Sequence, residues 1–204
     1  MPDTTMPINP LIKNLSEPAK KMVEAYASTS YFNNRRTETR AGLRALVGKG
    51  TPEEIAEEAG LFAVREKVVL KNLSADQRRQ FLVEHRLGID CSGFVFHVLN
   101  AEAQALGKKS LASGLALRSV GPFGIFKFIS LLRPAQNADV AVFADNANSR
   151  SLALVDIRPG DFIVMLHEKA DRAFNHIILI TEVAHEESSA GLVPKRLTYT
   201  HSIS

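Results

Sequence analysis

One cysteine stands in the 204 residues, Cys91. A lone cysteine forms no intramolecular disulfide and supports no multi-thiolate zinc site. It is either a small buried hydrophobe or a nucleophile. Its surroundings, Gly88-Ile89-Asp90-Cys91-Ser92-Gly93-Phe94-Val95, bear on that choice. Asp90 is a helix-capping residue type, which puts Cys91 in the first turn of the following helix. Unpaired backbone N–H groups and the positive helix end favour a thiolate there. Gly93 leaves room for close approach. The inert alternative is a buried helix start holding a core thiol.

A nucleophilic thiol needs a base, and six histidines are available: His85, His97, His167, His176, His185 and His201. His97 lies more than a turn along the helix from Cys91 and reads as a core residue. His85 and His185 sit in charged, surface-like segments. His167 ends a strand-like run. His176 opens the apolar run Ile177-Ile178-Leu179-Ile180, where a strand-end imidazole can enter a cleft beside a helix N-terminus. His201 closes the alternating segment Leu197 to Ser202, and a neighbouring strand there would place it behind His176 as the group that orients the base. Solvent-facing or frayed histidines are the plain alternatives for both.

The elements that must position these groups change character along the chain. Residues 1–86 read as a helical extension. The apolar spacing predicts an amphipathic helix over Leu11 to Ser28. Thr51-Pro52-Glu53-Glu54 and Ser74-Ala75-Asp76-Gln77 are two capping-box starts. Gly48-Lys49-Gly50 is a break between helices; it lacks the spacing, the Ser or Thr and the preceding strand of a phosphate loop. From residue 87 the pattern is a buried helix from Cys91 to Leu106, then an apolar stretch from Ser110 to Leu132. Val140 to Phe143 reads as a short strand. Arg158-Pro159-Gly160-Asp161 is a turn, with Pro and Gly in type II order. Strands are predicted over Phe162 to Leu166, Asn175 to Val183 and Arg196 to His201. Helices first and strands later give an α+β class.

Composition excludes several functions. A hydrophobic fraction of 45% and a charged fraction of 23% belong to a globular chain, not a disordered one. A net charge of +3 is too mild for a nucleic-acid binder. The densest basic stretch, Arg35 to Arg44, includes Glu38 and has no interleaved aromatics, so it reads as a solvated helix face. The longest apolar runs fall far short of the ~20 residues that span a bilayer, so no integral membrane segment is expected. Met1 to Pro10 shows no secretory signal. The chain as given is therefore expected in the cytoplasm. A cell-envelope location follows if it is a fragment or is exported unconventionally.

The segment Asp90-Cys91-Ser92-Gly93-Phe94-Val95 resembles the nucleophile motif of NlpC-type cell-wall cysteine peptidases, papain-like enzymes that cut peptidoglycan stem peptides. Pro159-Gly160-Asp161-Phe162-Ile163-Val164 resembles the family's turn and strand. His176-Ile177-Ile178 resembles its His-opened strand, and His201-Ser202 its later His. The four occur in family order over residues 86–204. The aromatic-Gly-Gly stretch of the family is missing, and a long insert fills residues 34–86. The family usually adds a strand beyond the point where this sequence stops, which raises a truncated C-terminus as one expectation.

The resemblance implies a papain-like α+β core in residues 87–204, with the Cys91 helix packed on an antiparallel sheet. Cys91 would be the nucleophile, His176 the base and His201 its orienting partner. The Cys91 N–H would be the oxyanion donor. Papain-like pairs lower the thiol pKa to ~3–4, which implies a resting thiolate and imidazolium. Asp90 and Ser92 would hold the free amine of the stem peptide's L-Ala. Tyr31 and Arg118 would touch substrate. The partner is a stem peptide or muropeptide, cut between γ-D-glutamate and a diamino acid, with no metal or cofactor. The alternatives are an amidase or peptidase on another substrate, an inactive cell-wall binding module, and a helical interaction protein with a core cysteine.

Overall fold

The computed structural model describes residues 11–32, 44–117, 134–167, 175–188 and 191–202. Its long elements start where the sequence offers a cap. Strand β1 (Leu11–Asn14) leads into α1 (Glu17–Tyr26), whose cap Ser16 accepts from the Ala19 N–H. Helix α2 (Pro52–Glu66) begins with a complete Thr51/Glu54 capping box, and α3 (Ala75–Glu84) with a Ser74/Gln77 one. Helix α4 (Cys91–Ala105) is capped by Asp90. Short helices α5 (Leu111–Gly114), α6 (Pro134–Asn137) and α7 (Val140–Phe143) follow. Strands β2 (Phe162–Met165), β3 (His176–Ser188) and β4 (Gly191–Thr200) complete the order. The chain is α+β: the described residues mix helices with one antiparallel sheet.

Strand β3 is the spine of that sheet. It pairs with β2 from His176 to Leu179, with β1 from Glu182 to His185, and with β4 from Leu179 to Ser188. All three pairings are antiparallel. Because β4 overlaps both of the others, β1 and β2 share the opposite edge of β3. Ile177 and Leu179 are fully buried and face the core with Phe94, Val95 and Val98 of α4. Helix α1 also packs against α4. There Tyr26 meets Phe94 edge-on at 5.7 Å, and its hydroxyl donates to the Gly50 carbonyl at 2.8 Å. Burial raises the Tyr26 pKa well above its ordinary value. Among the described residues, no helix is long and apolar enough to cross a membrane.

Strand β3 runs on to Ser188 and β4 spans Gly191 to Thr200, longer than the Asn175–Val183 and Arg196–His201 strands expected, so His201 lies one residue past β4. Two element types change. Leu11 to Asn14 is strand, not the first turn of a helix, because Ser16 caps the helix later and β3 offers an open edge to the preceding residues. Val140 to Phe143 is a helical turn, because Asp139 accepts from the Val142 N–H at 2.9 Å and starts one. The turn before β2 has the expected form. Gly160 has φ +93°, and the Asp161 N–H reaches the Arg158 carbonyl at 3.0 Å.

Candidate active site

The site is built around Ile89, the residue before the cap of α4. Its N–H donates to the Ser30 carbonyl at 3.0 Å, and its carbonyl accepts from Phe32 N–H at 3.2 Å. The Ser202 hydroxyl donates to the same carbonyl at 2.9 Å. The Asp90 N–H is held by the Gly48 carbonyl at 2.9 Å. Three separate chain segments therefore fix where α4 begins. Gly93 permits this closeness: a Cβ there would lie 2.6 Å from the Gly48 carbonyl oxygen.

Cys91 is the first residue of α4 and is 3% exposed. Its thiol points to the Asn175 carbonyl at 3.9 Å, and the Ile177 N–H is directed at the sulfur. The sulfur thus rests on the main chain of β3 on both sides of His176. The β4 pairing begins only at Leu179, so it leaves this edge to the helix. The His176 Nε2 meets the His201 Nδ1 at 2.7 Å, with the rings edge-on and their centroids 5.0 Å apart. Tyr199 stacks edge-on to His201 at 5.9 Å. A proton on His176 Nε2, donated to His201, leaves the opposite nitrogen, Nδ1, in the acceptor form.

The resting thiolate expected from the resemblance is not what this environment favours. Burial pushes the Cys91 thiol up to about 11, and the adjacent Asp90 carboxylate adds to the rise. The Ile177 N–H, the Lys49 ammonium and the Ser92 N–H pull the other way and do not prevail. The physical reason is that the helix start is sealed: the positive end of α4 acts on the thiol, but water does not solvate the anion.

Asp90 and Ser92 are also differently engaged. Asp90 Oδ1 accepts from the Gly93 N–H at 2.6 Å, the Ser92 hydroxyl at 3.1 Å and the Lys49 ammonium at 2.9 Å. The ammonium also bonds Ser92 Oγ at 2.6 Å and the Ala138 carbonyl at 3.2 Å. The position assigned to a substrate amine is filled by the protein's own cation. The main chain of Lys49 is pinned in turn by His97, whose Nε2 meets the Lys49 carbonyl at 3.0 Å. Burial shifts the His97 imidazole downward, as for a neutral core histidine.

The structure sets the Cys91 sulfur against the main chain flanking His176, pairs His176 with His201, and joins Asp90 and Ser92 to Lys49. Tyr31 is near through a backbone bridge to Ile89. Arg118 lies outside the described residues. Two histidines read as surface-like are enclosed. His185 is 6% exposed on β3. His85 joins the Glu66 carboxylate and the Phe81 carbonyl, each at 2.7 Å, between Phe62 and Phe81. His167 lies beyond β2, its N–H donating to the Asn175 side chain at 2.8 Å. Sequence reasoning missed Lys49; the signal was the cation between two glycines, set aside once the phosphate-loop spacing failed. Among the described residues, no three or more His, Cys, Asp or Glu side chains are grouped to hold a metal ion. Compared with known proteins, the chain matches no family model, no curated protein and no solved structure.

Proposed function

We propose that the chain is a cysteine peptidase of the NlpC type, with a papain-like core, that hydrolyses an amide bond of peptidoglycan stem peptides. The observation that carries this reading is the Cys91 sulfur lying against the main chain on either side of His176 at the start of β3, while His201 meets Nε2 of that imidazole at 2.7 Å.

The chemistry follows from the protonation states. With the thiol neutral at rest, His176 acts as a general base during attack rather than as half of a preformed ion pair. Its Nδ1 takes the thiol proton as Sγ bonds to the scissile carbonyl carbon. The Cys91 N–H, at the helix start, stabilises the oxyanion. Collapse of the tetrahedral intermediate breaks the C–N bond. The imidazolium gives its proton to the leaving amine, and a thioester remains on Cys91. Water then attacks the thioester with His176 again as base, releasing the carboxylate product and the thiol. His201 stabilises the imidazolium in both steps by accepting from Nε2.

The test is digestion of purified muropeptides with product mass spectrometry. Wild-type protein should release a fragment ending in γ-D-glutamate, and Cys91→Ala protein should release none. Equal products from both proteins would remove Cys91 from the reaction.

A further inference from the structure

We propose that His85 is a proton-operated latch: with a proton on both ring nitrogens it ties the end of α2 to the end of α3, and on losing one as the pH rises it lets that joint open.

The proton count follows from the partners. Nδ1 meets the Phe81 carbonyl and Nε2 the Glu66 carboxylate, each at 2.7 Å. A carbonyl and a carboxylate only accept, so both bonds are made together only when both nitrogens donate, which is the imidazolium. The ring is held between Phe62 of α2 and Phe81 of α3, with centroids 4.6 and 4.2 Å away, and the side chain is 10% exposed. The charges that face it from α2 are Glu66 and Arg65. Arg65 lies over the Phe62 ring at 4.6 Å, reaches Glu66 at 3.3 Å and opposes the imidazolium. On the histidine's own helix, the neighbouring Glu84 accepts from the Gln80 amide at 2.9 Å. Arg86 follows in the chain. Burial by itself would discharge the ring, but the Glu66 and Phe81 bonds outweigh it and hold the imidazole above its ordinary value. The same bond is the main reason that the Glu66 carboxyl is held below its usual range.

A neutral ring cannot keep both bonds. The Phe81 carbonyl is fixed within α3, where it also accepts the His85 main-chain N–H at 3.1 Å. Glu66 is the last residue of α2, and its side chain is 38% exposed. The remaining proton therefore stays on Nδ1. Nε2 then turns a lone pair on a carboxylate, and Glu66 leaves for water. The joint opens on its α2 side. The opening stops at Leu87, which is fully buried. The Leu87 N–H donates to the Leu82 carbonyl at 2.8 Å, and its carbonyl accepts from the Ser30 hydroxyl. Helix α4 lies beyond that anchor and outside the moving part. Because the latched state favours the proton, its contribution is full below about pH 6.5 and is lost as the pH rises through the raised value.

Two measurements on the full chain test this, both between pH 5.5 and 8.5, below the range in which Cys91 and Tyr26 lose protons. The first is an NMR titration with 15N-labelled histidine, the signals assigned through the backbone. The His85 midpoint should lie above 6.5, Nε2 should be the nitrogen that loses its proton, and Glu66→Gln should bring the midpoint down. A wild-type midpoint at or below 6.5, or one that Glu66→Gln leaves in place, overturns the proposal. The second is amide hydrogen exchange over the last turn of α2, corrected for the intrinsic rate at each pH. Protection there should fall by about tenfold for each unit by which the His85 midpoint exceeds 6.5, while α4 keeps its protection. Glu66→Gln should lose most of that dependence. A raised midpoint with α2 protection that ignores pH means a static ion pair and overturns the latch.

Discussion

Raising the pH titrates the buried Cys91 thiol, and its environment sets where this happens. The thiol is pushed up from 9.0 to about 11. At pH 7 about one molecule in 10⁴ then carries a thiolate, against about one in 10² for the unshifted group. A more basic thiolate is a better nucleophile, with a Brønsted slope of about 0.4–0.5, which recovers somewhat less than tenfold. Iodoacetamide should therefore alkylate Cys91 at least about tenfold more slowly at pH 7 than it alkylates a free thiol, since burial also hinders the reagent. The rate should climb about tenfold per pH unit up to about pH 10. The same shift has a stability consequence. The folded thiol holds its proton more tightly than the unfolded one. Its contribution is full below about pH 9 and is lost as the pH rises toward 11, amounting to about 3 kcal/mol over the two units. Tyr26 is raised as well, so the Cys91 part is isolated by comparing wild type with Cys91→Ala in urea at pH 8 and pH 10.5. Asp90→Asn keeps the helix cap but removes one cause of the shift, so its alkylation profile should move to lower pH. An alkylation rate that levels off below pH 8 would mean a preformed thiolate. That result would refute the reasoning from burial.

Three other perturbations have definite outcomes. His201→Ala should lower kcat/KM by about 10–100-fold while leaving the Cys91 alkylation rate unchanged, because an unoriented His176 still acts as base part of the time; unchanged turnover would remove His201 from the site. Ser202→Ala deletes the hydroxyl that ties the His201 segment to the Ile89 carbonyl, a bond worth about 0.5–1.5 kcal/mol, so activity should fall by less than about tenfold, measured beside His201→Ala. Gly93→Ala forces a Cβ to 2.6 Å from a backbone oxygen and should destabilise by about 1–3 kcal/mol, with each kcal/mol lowering the thermal midpoint by about 2–4 °C. An unshifted midpoint would show that the Gly48 and Asp90 segments are looser than their hydrogen bonds suggest.

Local chemistry made much of this fold legible in the sequence. Thr51, Ser74 and Asp90 each announce a helix start because a side-chain oxygen satisfies an N–H that the helix leaves unpaired. Pro159-Gly160 announces its turn because glycine tolerates the positive φ required there. What stayed hidden depends on partners distant in sequence. Leu11 to Asn14 has no strand signal of its own and is extended because the far half of β3 has an open edge. The histidine pair was expected from chain order, but the 2.7 Å contact depends on how β4 meets β3 and where it ends. Lys49 was invisible as a site residue because its meaning comes from Asp90, Ser92 and Ala138, brought together only by the fold. The thiol's upward shift was missed for a related reason. Position at a helix start was legible, and the sealing of that start by β3 was not.

The most direct measurement is the mass of the intact protein, acid-quenched within the first turnovers on a stem peptide. The thioester predicts an adduct equal to the acyl fragment less one water, located on Cys91 by digestion. The adduct should be absent from Cys91→Ser at the same site and strongly diminished in His176→Ala. Peptide cleavage with no adduct at Cys91 in the wild type, or undiminished cleavage in Cys91→Ser, would contradict nucleophilic catalysis by this cysteine.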